Sequence, residues 1–297
     1  MKKEQENSVQ IRKTKIGNKS KEKGENMDIK RITSALLGFP LVVIILTIGN
    51  KYVVDIFLAF IAMLGMQEYF NAVSKEAKPV RWLGYLTCLL IALIHIVPDN
   101  LNVQLQSEVL MLIIPTILLI LFLHVIITNM KINFKDIAYT LFGTIYVIGC
   151  IIFLALLRGI QNGRILIWYA IIAAWGTDIF AYVIGKRFGK HKFSEVSPKK
   201  SIEGCIAGII GAVVIAVLYT LAINKIFDLQ YSYLFVVIVT AILSMIGQVG
   251  DFAASSIKRY VNIKDYSNLI PGHGGMLDRI DSLMFLAPFA YVLFSFI

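Results

Sequence analysis

The stretch LIPGHGGMLDRIDS, Leu269 to Ser282, sets a proline and three glycines beside a histidine, two aspartates and an arginine. The glycines expose backbone N–H groups and permit positive φ. A helix that starts just after them, near Met276, would present an anion-binding terminus. Asp278 and Asp281 then fall i, i+3 on one face of its first turns. Upstream, GQVGDFAASSIKRYVNIKDYSN contributes Asp251, Ser255 and Lys258, which share a face at i, i+4, i+7 if 251–259 is helical. Carboxylates alone repel a phosphate, so Asp251 and Asp278 make sense with a cation between them and the substrate. Mg²⁺ suits that role, because it takes one or two carboxylates plus substrate phosphate oxygens. Lys258, Arg259, Lys264 and Arg279 supply positive charge for the remaining oxygens, and Ser256 a hydroxyl. His273 has four open readings: base, ligand, phosphate donor or plain turn residue. The joint pattern points to phosphoryl or nucleotidyl chemistry at a membrane surface. Mutual neutralisation of these charges is the plainer account, and it leaves the glycines unexplained.

Two other polar features belong with this cluster. Asp178 lies several residues inside the apolar run ILIWYAIIAAWGTDIF. A carboxylate at such a depth costs about 2.5 kcal/mol or more, so it is expected to serve an ion, a proton path or a polar partner. The basic loop GKRFGKHKFSEVSPKKSIEG, 185–204, follows. In it Lys199, Lys200 and Ser201 come directly after Pro198, and two ammoniums with a hydroxyl on a short rigid turn suit a phosphate chain. GKRFGKHK is not a P-loop: its spacing is one short, no Ser or Thr follows the Lys, and no strand precedes it.

These residues need elements to hold them, and composition says which kind. The 297 residues are 57% hydrophobic and 16% charged, with a net charge of +10. Soluble domains are nearer a quarter charged, so the expected class is an all-α polytopic integral membrane protein. At roughly 20 residues per crossing, about nine spans are expected. They fall at 32–49, 53–73, 82–98, 109–128, 137–157, 165–184, 205–223, 233–250 and 283–297. The runs lack the polar alternation of barrel strands, so helices must satisfy the backbone in lipid. Cys88, Cys150 and Cys205 are widely spaced within or beside apolar runs, which gives neither a disulfide framework nor a metal set. All but four of the 29 Lys and Arg fall on one side of this arrangement, the exceptions being Lys51, Arg158, Arg164 and Lys225. The positive-inside rule makes that side cytoplasmic and puts 185–204 and 251–282 there together. Residues 1–27 are charged and aperiodic and are expected to be a disordered basic tail. A start of translation at Met27 is a second reading of that segment.

The residues Ser256, Lys258, Arg259, Lys264, Asp265, Ser267, Ile270–Gly275, Asp278, Arg279 and Asp281 together spell a pattern that resembles the signature of the phosphatidate cytidylyltransferase (CDP-diacylglycerol synthase) family. AAWGTDIFAYVIGKRFGK, SPKKSIEG and RITSALLGFPLV extend the likeness over residues 28–297, with Ser201 where Thr is expected. The resemblance implies a membrane-embedded enzyme that converts CTP and phosphatidic acid into CDP-diacylglycerol and pyrophosphate with Mg²⁺. It implies a metal centre on Asp251 and Asp278, a monovalent cation such as K⁺ as a second ion, and a homodimer in the inner (plasma) membrane. On this reading Asp178 is an ion ligand or orients one. Lys258, Arg259 and Arg279 hold phosphates of lipid or nucleotide. Lys199, Lys200 and Ser201 hold the triphosphate, and Gly274 and Gly275 offer N–H groups. Lipid and nucleotide are the expected partners, and nucleic acid is not. Two other classes stay open: a CTP-dependent lipid kinase releasing CDP, and a transporter using Asp178 and the basic loops. The sequence has no internal repeat, which weighs against transport.

Overall fold

The structure is a computed structural model. It describes residue 36 and residues 38–93, 103–194, 197–198, 200–270, 272 and 274–296, with backbone only at 103–110. The expected tail, 1–27, and Lys199, Pro271 and His273 lie outside the described residues. The described residues form helices and connecting loops, with isolated bridges in place of strands. In chain order the helices are α1 (Gly38–Ile48), α2 (Lys51–Val73), α3 (Arg81–Leu93), α4 (Val103–Ile127), α5 (Phe134–Gly159), α6 (Gly163–Phe188), α7 (Ile202–Phe227), α8 (Tyr233–Tyr260) and α9 (Leu277–Phe294). Five of them, α2 and α5 to α8, are long and apolar enough to cross a membrane. Two expected spans miss polar helix ends: α8 runs on to Tyr260 past the expected 233–250, and α9 begins before the expected 283–297 and carries Asp278, Arg279 and Asp281 in its first turns. Hydropathy windows exclude such polar helix ends.

Burial on these helices is inverted relative to a water-soluble protein. On α7 the exposed stripe is Ile206, Ile210, Val214 and Leu218, while Gly204, Gly208, Gly211, Ala212 and Ala216 face inward. Lipid does not penalise exposed apolar side chains, so small residues gather where backbones approach. A Cβ on Gly208 would sit 2.8 Å from Thr177 O of α6. Between α8 and α9, a Cβ on Gly250 would sit 2.8 Å from Asp281 O. That close approach lays the end of α8, with Asp251 next in sequence, against the start of α9.

Helix ends divide into two polar layers. At one end of the bundle, Arg158 Nη2 donates to Gly49 O at 2.8 Å, and buried Asp55 of α2 lies within its electrostatic reach. At the other end meet the finish of α2, α6 and α8 and the start of α3, α5, α7 and α9. Asp136 fastens part of this layer. Its Oδ2 accepts from Asn133 N at 3.0 Å, and Asn133 Oδ1 accepts from Asp136 N, which closes a capping box on α5. Its Oδ1 accepts from Lys78 N at 2.6 Å in the α2–α3 connection. Two π-helical turns interrupt the spans, Thr144–Ile148 in α5 and Ile172–Gly176 in α6. The second lies just before Asp178 and rotates the remainder of α6, which sets the direction in which that carboxylate leaves the helix.

Asp136→Ala removes the return half of the capping box, the acceptor of Asn133 N, and leaves Lys78 N–H without its acceptor. It is expected to cost roughly 1–2 kcal/mol, read as a lower thermal unfolding midpoint in detergent. An unchanged midpoint would contradict the fastening role.

Candidate active site

Two ion pairs form the centre of the polar end. Asp278, in the first turn of α9, is the more buried carboxylate. Its Oδ1 accepts from Lys258 Nζ of α8 at 2.7 Å. Its Oδ2 accepts from Tyr266 N at 2.9 Å and Gly275 N at 3.0 Å. Asp278 therefore joins α8, the 261–276 loop and α9 in one hydrogen-bonded unit. Asp251, two turns before Lys258 on α8, pairs with Lys200 of the basic loop. The contact is made through Asp251 Oδ2, which is buried. The Lys200 ammonium also lies over the Phe252 ring, 4.9 Å from its centroid, and Phe252 stacks on Phe193. Burial pulls Lys200 below its ordinary pKa, while the Asp178 and Asp281 carboxylates pull it back up. Asp178 is exposed and reaches across to α9, where Ser282 Oγ donates to its Oδ2 at 3.5 Å.

The structure thus brings Asp178, Lys200, Asp251, Lys258 and Asp278 together, and adds Asp281, whose charge acts on Asp178, Lys200 and Lys258. Arg279 is exposed and close enough to act on Asp178. Ser256 and Arg259 are exposed and lie around α8 from the face that carries Asp251 and Lys258, and Lys264 is exposed beyond the helix end. Ser201 has a local job: its Oγ accepts from Gly204 N at 3.1 Å and caps α7. The glycines also act within the protein. Gly274 has φ 86° and its carbonyl accepts from Ile270 N at 2.9 Å, closing the turn before α9. Gly275 donates its N–H to Asp278, so that group is committed inside the protein.

Glu68 had no site role in the sequence reading, and Ser267 entered only as a residue of the signature. Glu68, near the end of α2, accepts from Ser267 Oγ and from the N–H groups of Met276 and Leu277. The available signal was a carboxylate within an apolar span, the same rule that singled out Asp178.

The donor set can be tested against a divalent cation. Among the described residues, no three His, Cys, Asp or Glu side chains are grouped as metal ligands. The two central carboxylates do present hard oxygen donors, and each already faces a cationic group. The buried Asp251 Oδ2 is met here by the Lys200 ammonium, a positive charge at the oxygen a metal ion would take. Two such carboxylates suit Mg²⁺ when phosphate oxygens complete its shell.

Comparison with known proteins bears on what this site does. The chain matches the cytidylyltransferase family over residues 29–297. It is 31% identical to the phosphatidate cytidylyltransferase of Staphylococcus haemolyticus over 89% of this chain and 97% of that one. It is 33% identical to the Staphylococcus aureus (strain COL) protein of the same name over 81% of this chain and 89% of that one. With the Bacillus subtilis phosphatidate cytidylyltransferase it shares 36% identity over 60% of this chain, a stretch that spans 65% of that relative's length. Ion-paired carboxylates at one end of an apolar helical bundle, and a match that runs through them from α1 to α9, lead to one conclusion: the chain belongs to the cytidylyltransferase family.

Proposed function

We infer that the chain transfers the cytidylyl group of CTP to phosphatidic acid, giving CDP-diacylglycerol and pyrophosphate for phospholipid synthesis. The observation that carries this reading is the pair of carboxylates, Asp251 and Asp278, each held against a lysine at the polar end of the bundle. A phosphate oxygen of the lipid attacks the α-phosphorus of CTP, and the bond to the pyrophosphate oxygen breaks. Pyrophosphate leaves with its electron pair. The lipid phosphate is already largely ionised near neutral pH, so attack needs little help from a base, and His273 is not required for it.

Catalysis on this reading is positioning and charge neutralisation. Asp251 and Asp278 would hold Mg²⁺, which supplies positive charge to the phosphate oxygens when bound. Lys200 and Lys258 turn from the carboxylates to those oxygens as the substrates enter, which keeps each ammonium paired throughout. Arg279, exposed beside Asp178, meets a further phosphate. Asp178 orients the centre through Ser282 and α9. Ser201 borders the nucleotide side, and Ser256, Arg259 and Lys264 line its outer approach. Gly275 serves through close approach instead of an N–H offered to phosphate.

The membrane arrangement follows the same logic. The shorter apolar helices α1, α3 and α4, with α9, join the five long spans for nine crossings in all. The basic bias of the loops puts the polar end in the cytoplasm. One reactant diffuses in the bilayer and the other in the cytosol, so their common site belongs at that interface.

Purified protein given labelled CTP, phosphatidic acid and Mg²⁺ is expected to release pyrophosphate and form CDP-diacylglycerol. Release of CDP would replace this reading with a lipid kinase. Asp278→Asn should lower turnover by roughly 100-fold or more while the protein stays inserted, and near-wild-type turnover would contradict the metal role. Lys200→Ala should raise the KM for CTP by a larger factor than that for phosphatidic acid, and a reversed order would move the loop away from the nucleotide.

A further inference from the structure

The start of α9 lies inside the protein, where its free N–H groups need acceptors. A helix ordinarily solves this with its own N-cap side chain. Here the N-cap position is Met276, which provides no side-chain hydrogen bond, and Gly275 precedes it. The acceptor comes instead from α2. Glu68 is 4% exposed. Its Oε1 accepts from Met276 N at 2.8 Å and from Ser267 Oγ at 2.6 Å. Its Oε2 accepts from Leu277 N at 2.8 Å. A Cβ at residue 275 would come within 2.5 Å of Oε2, so only glycine leaves room for this carboxylate. A negative group at the positive end of a helix dipole adds to the attraction.

The geometry has a chemical consequence. Leu277 directly precedes Asp278, and Gly275 donates to Asp278 Oδ2. Glu68 therefore grips the backbone on which Asp278 stands, and through Ser267 it grips the loop that supplies Tyr266 N to the same carboxylate. We propose that Glu68 is a positioning residue for the transfer reaction, fixing Asp278 in the orientation that holds the divalent ion. The proposal rests on the reading of Asp278 given above. In this role Glu68 acts through the backbone on which Asp278 stands. It works as the outer partner of a metal-holding carboxylate, a class of residue whose loss costs about 10–100-fold in metal affinity or activity.

Glu68→Gln tests this with shape retained. Both carboxylate oxygens face donors, so a glutamine must set its NH₂ against one of them. Two measurements on the purified protein decide the matter. Hydrogen exchange at Met276 and Leu277 is expected to quicken by roughly tenfold or more, while exchange within α7 stays slow. The apparent KM for Mg²⁺ is expected to rise by roughly tenfold or more, with the KM for phosphatidic acid little changed. Glu68→Asp keeps the charge and should recover part of both effects. Simple loss of folded protein would lower kcat and leave the KM for Mg²⁺ where it was, so quicker exchange with an unchanged KM would overturn the proposal. Unchanged exchange would overturn it also. If Glu68→Gln does not insert, Ser267→Ala decides, since it removes one donor and leaves the helix start capped. It should raise the KM for Mg²⁺ by roughly 3–10-fold, and no change would overturn the proposal. A wild-type protein that forms no CDP-diacylglycerol would overturn the functional reading and this proposal with it. Wild-type turnover with an unaltered Mg²⁺ KM in the variants would overturn this proposal alone.

Discussion

The pairing of Lys258 with Asp278 is the interaction on which the polar end depends. Both side chains are mostly buried, at 12% and 4% relative exposure. Removing either partner leaves the other as an unpaired buried charge, which costs about 3–5 kcal/mol. The same carboxylate accepts from Tyr266 N and Gly275 N, so one side chain fixes the end of α8, the loop after it and the start of α9. Such an arrangement is poor as plain stabilisation, because well-packed apolar residues often do as well as a buried ion pair. On the proposed reading its value is that it keeps two opposite charges close, buried and ready to exchange partners.

The bilayer explains why those charges sit where they do. Along the spans, lipid accepts apolar side chains and rejects unpaired polar ones. Polar chemistry is therefore confined to the ends of the helices and to their interior. The two ends are unequal. At one, Asp55 and Arg158 lie close together with Gly49 O beside them, which ties α2 to α5. At the other, carboxylates and ammoniums arrive from the 189–201 loop and from α2, α6, α8 and α9. Glycines permit this convergence. Gly250 lets α8 rest on α9, and Gly275 admits the Glu68 carboxylate.

Much of this was legible in the sequence. The helical class followed from apolar runs without alternation. The start of α9 followed from Gly272, Gly274 and Gly275, which end regular structure just before Leu277. Asp178, Asp251 and Asp278 stood out because charge in an apolar chain is costly. What stayed hidden were partnerships across long stretches of chain. Glu68 meets residues about two hundred positions later, and nothing local in α2 announces that. Ser201 looked like a phosphate ligand, yet the structure gives its hydroxyl a helix to cap. Gly275 looked like a donor to substrate, yet its N–H serves Asp278 and its missing side chain serves Glu68. A single sequence gives the type of residue and its local spacing. The partner across the fold decides which of several chemically equal uses is taken.

The central claim is that Asp251 and Asp278 share one divalent ion, with CTP phosphates completing its shell. Equilibrium binding of CTP to purified wild-type, Asp251→Asn and Asp278→Asn proteins, with and without Mg²⁺, tests it most directly. The account predicts that Mg²⁺ tightens CTP binding to the wild type by roughly tenfold or more, and that each substitution alone removes this gain. A gain from Mg²⁺ that persists in either variant would contradict it.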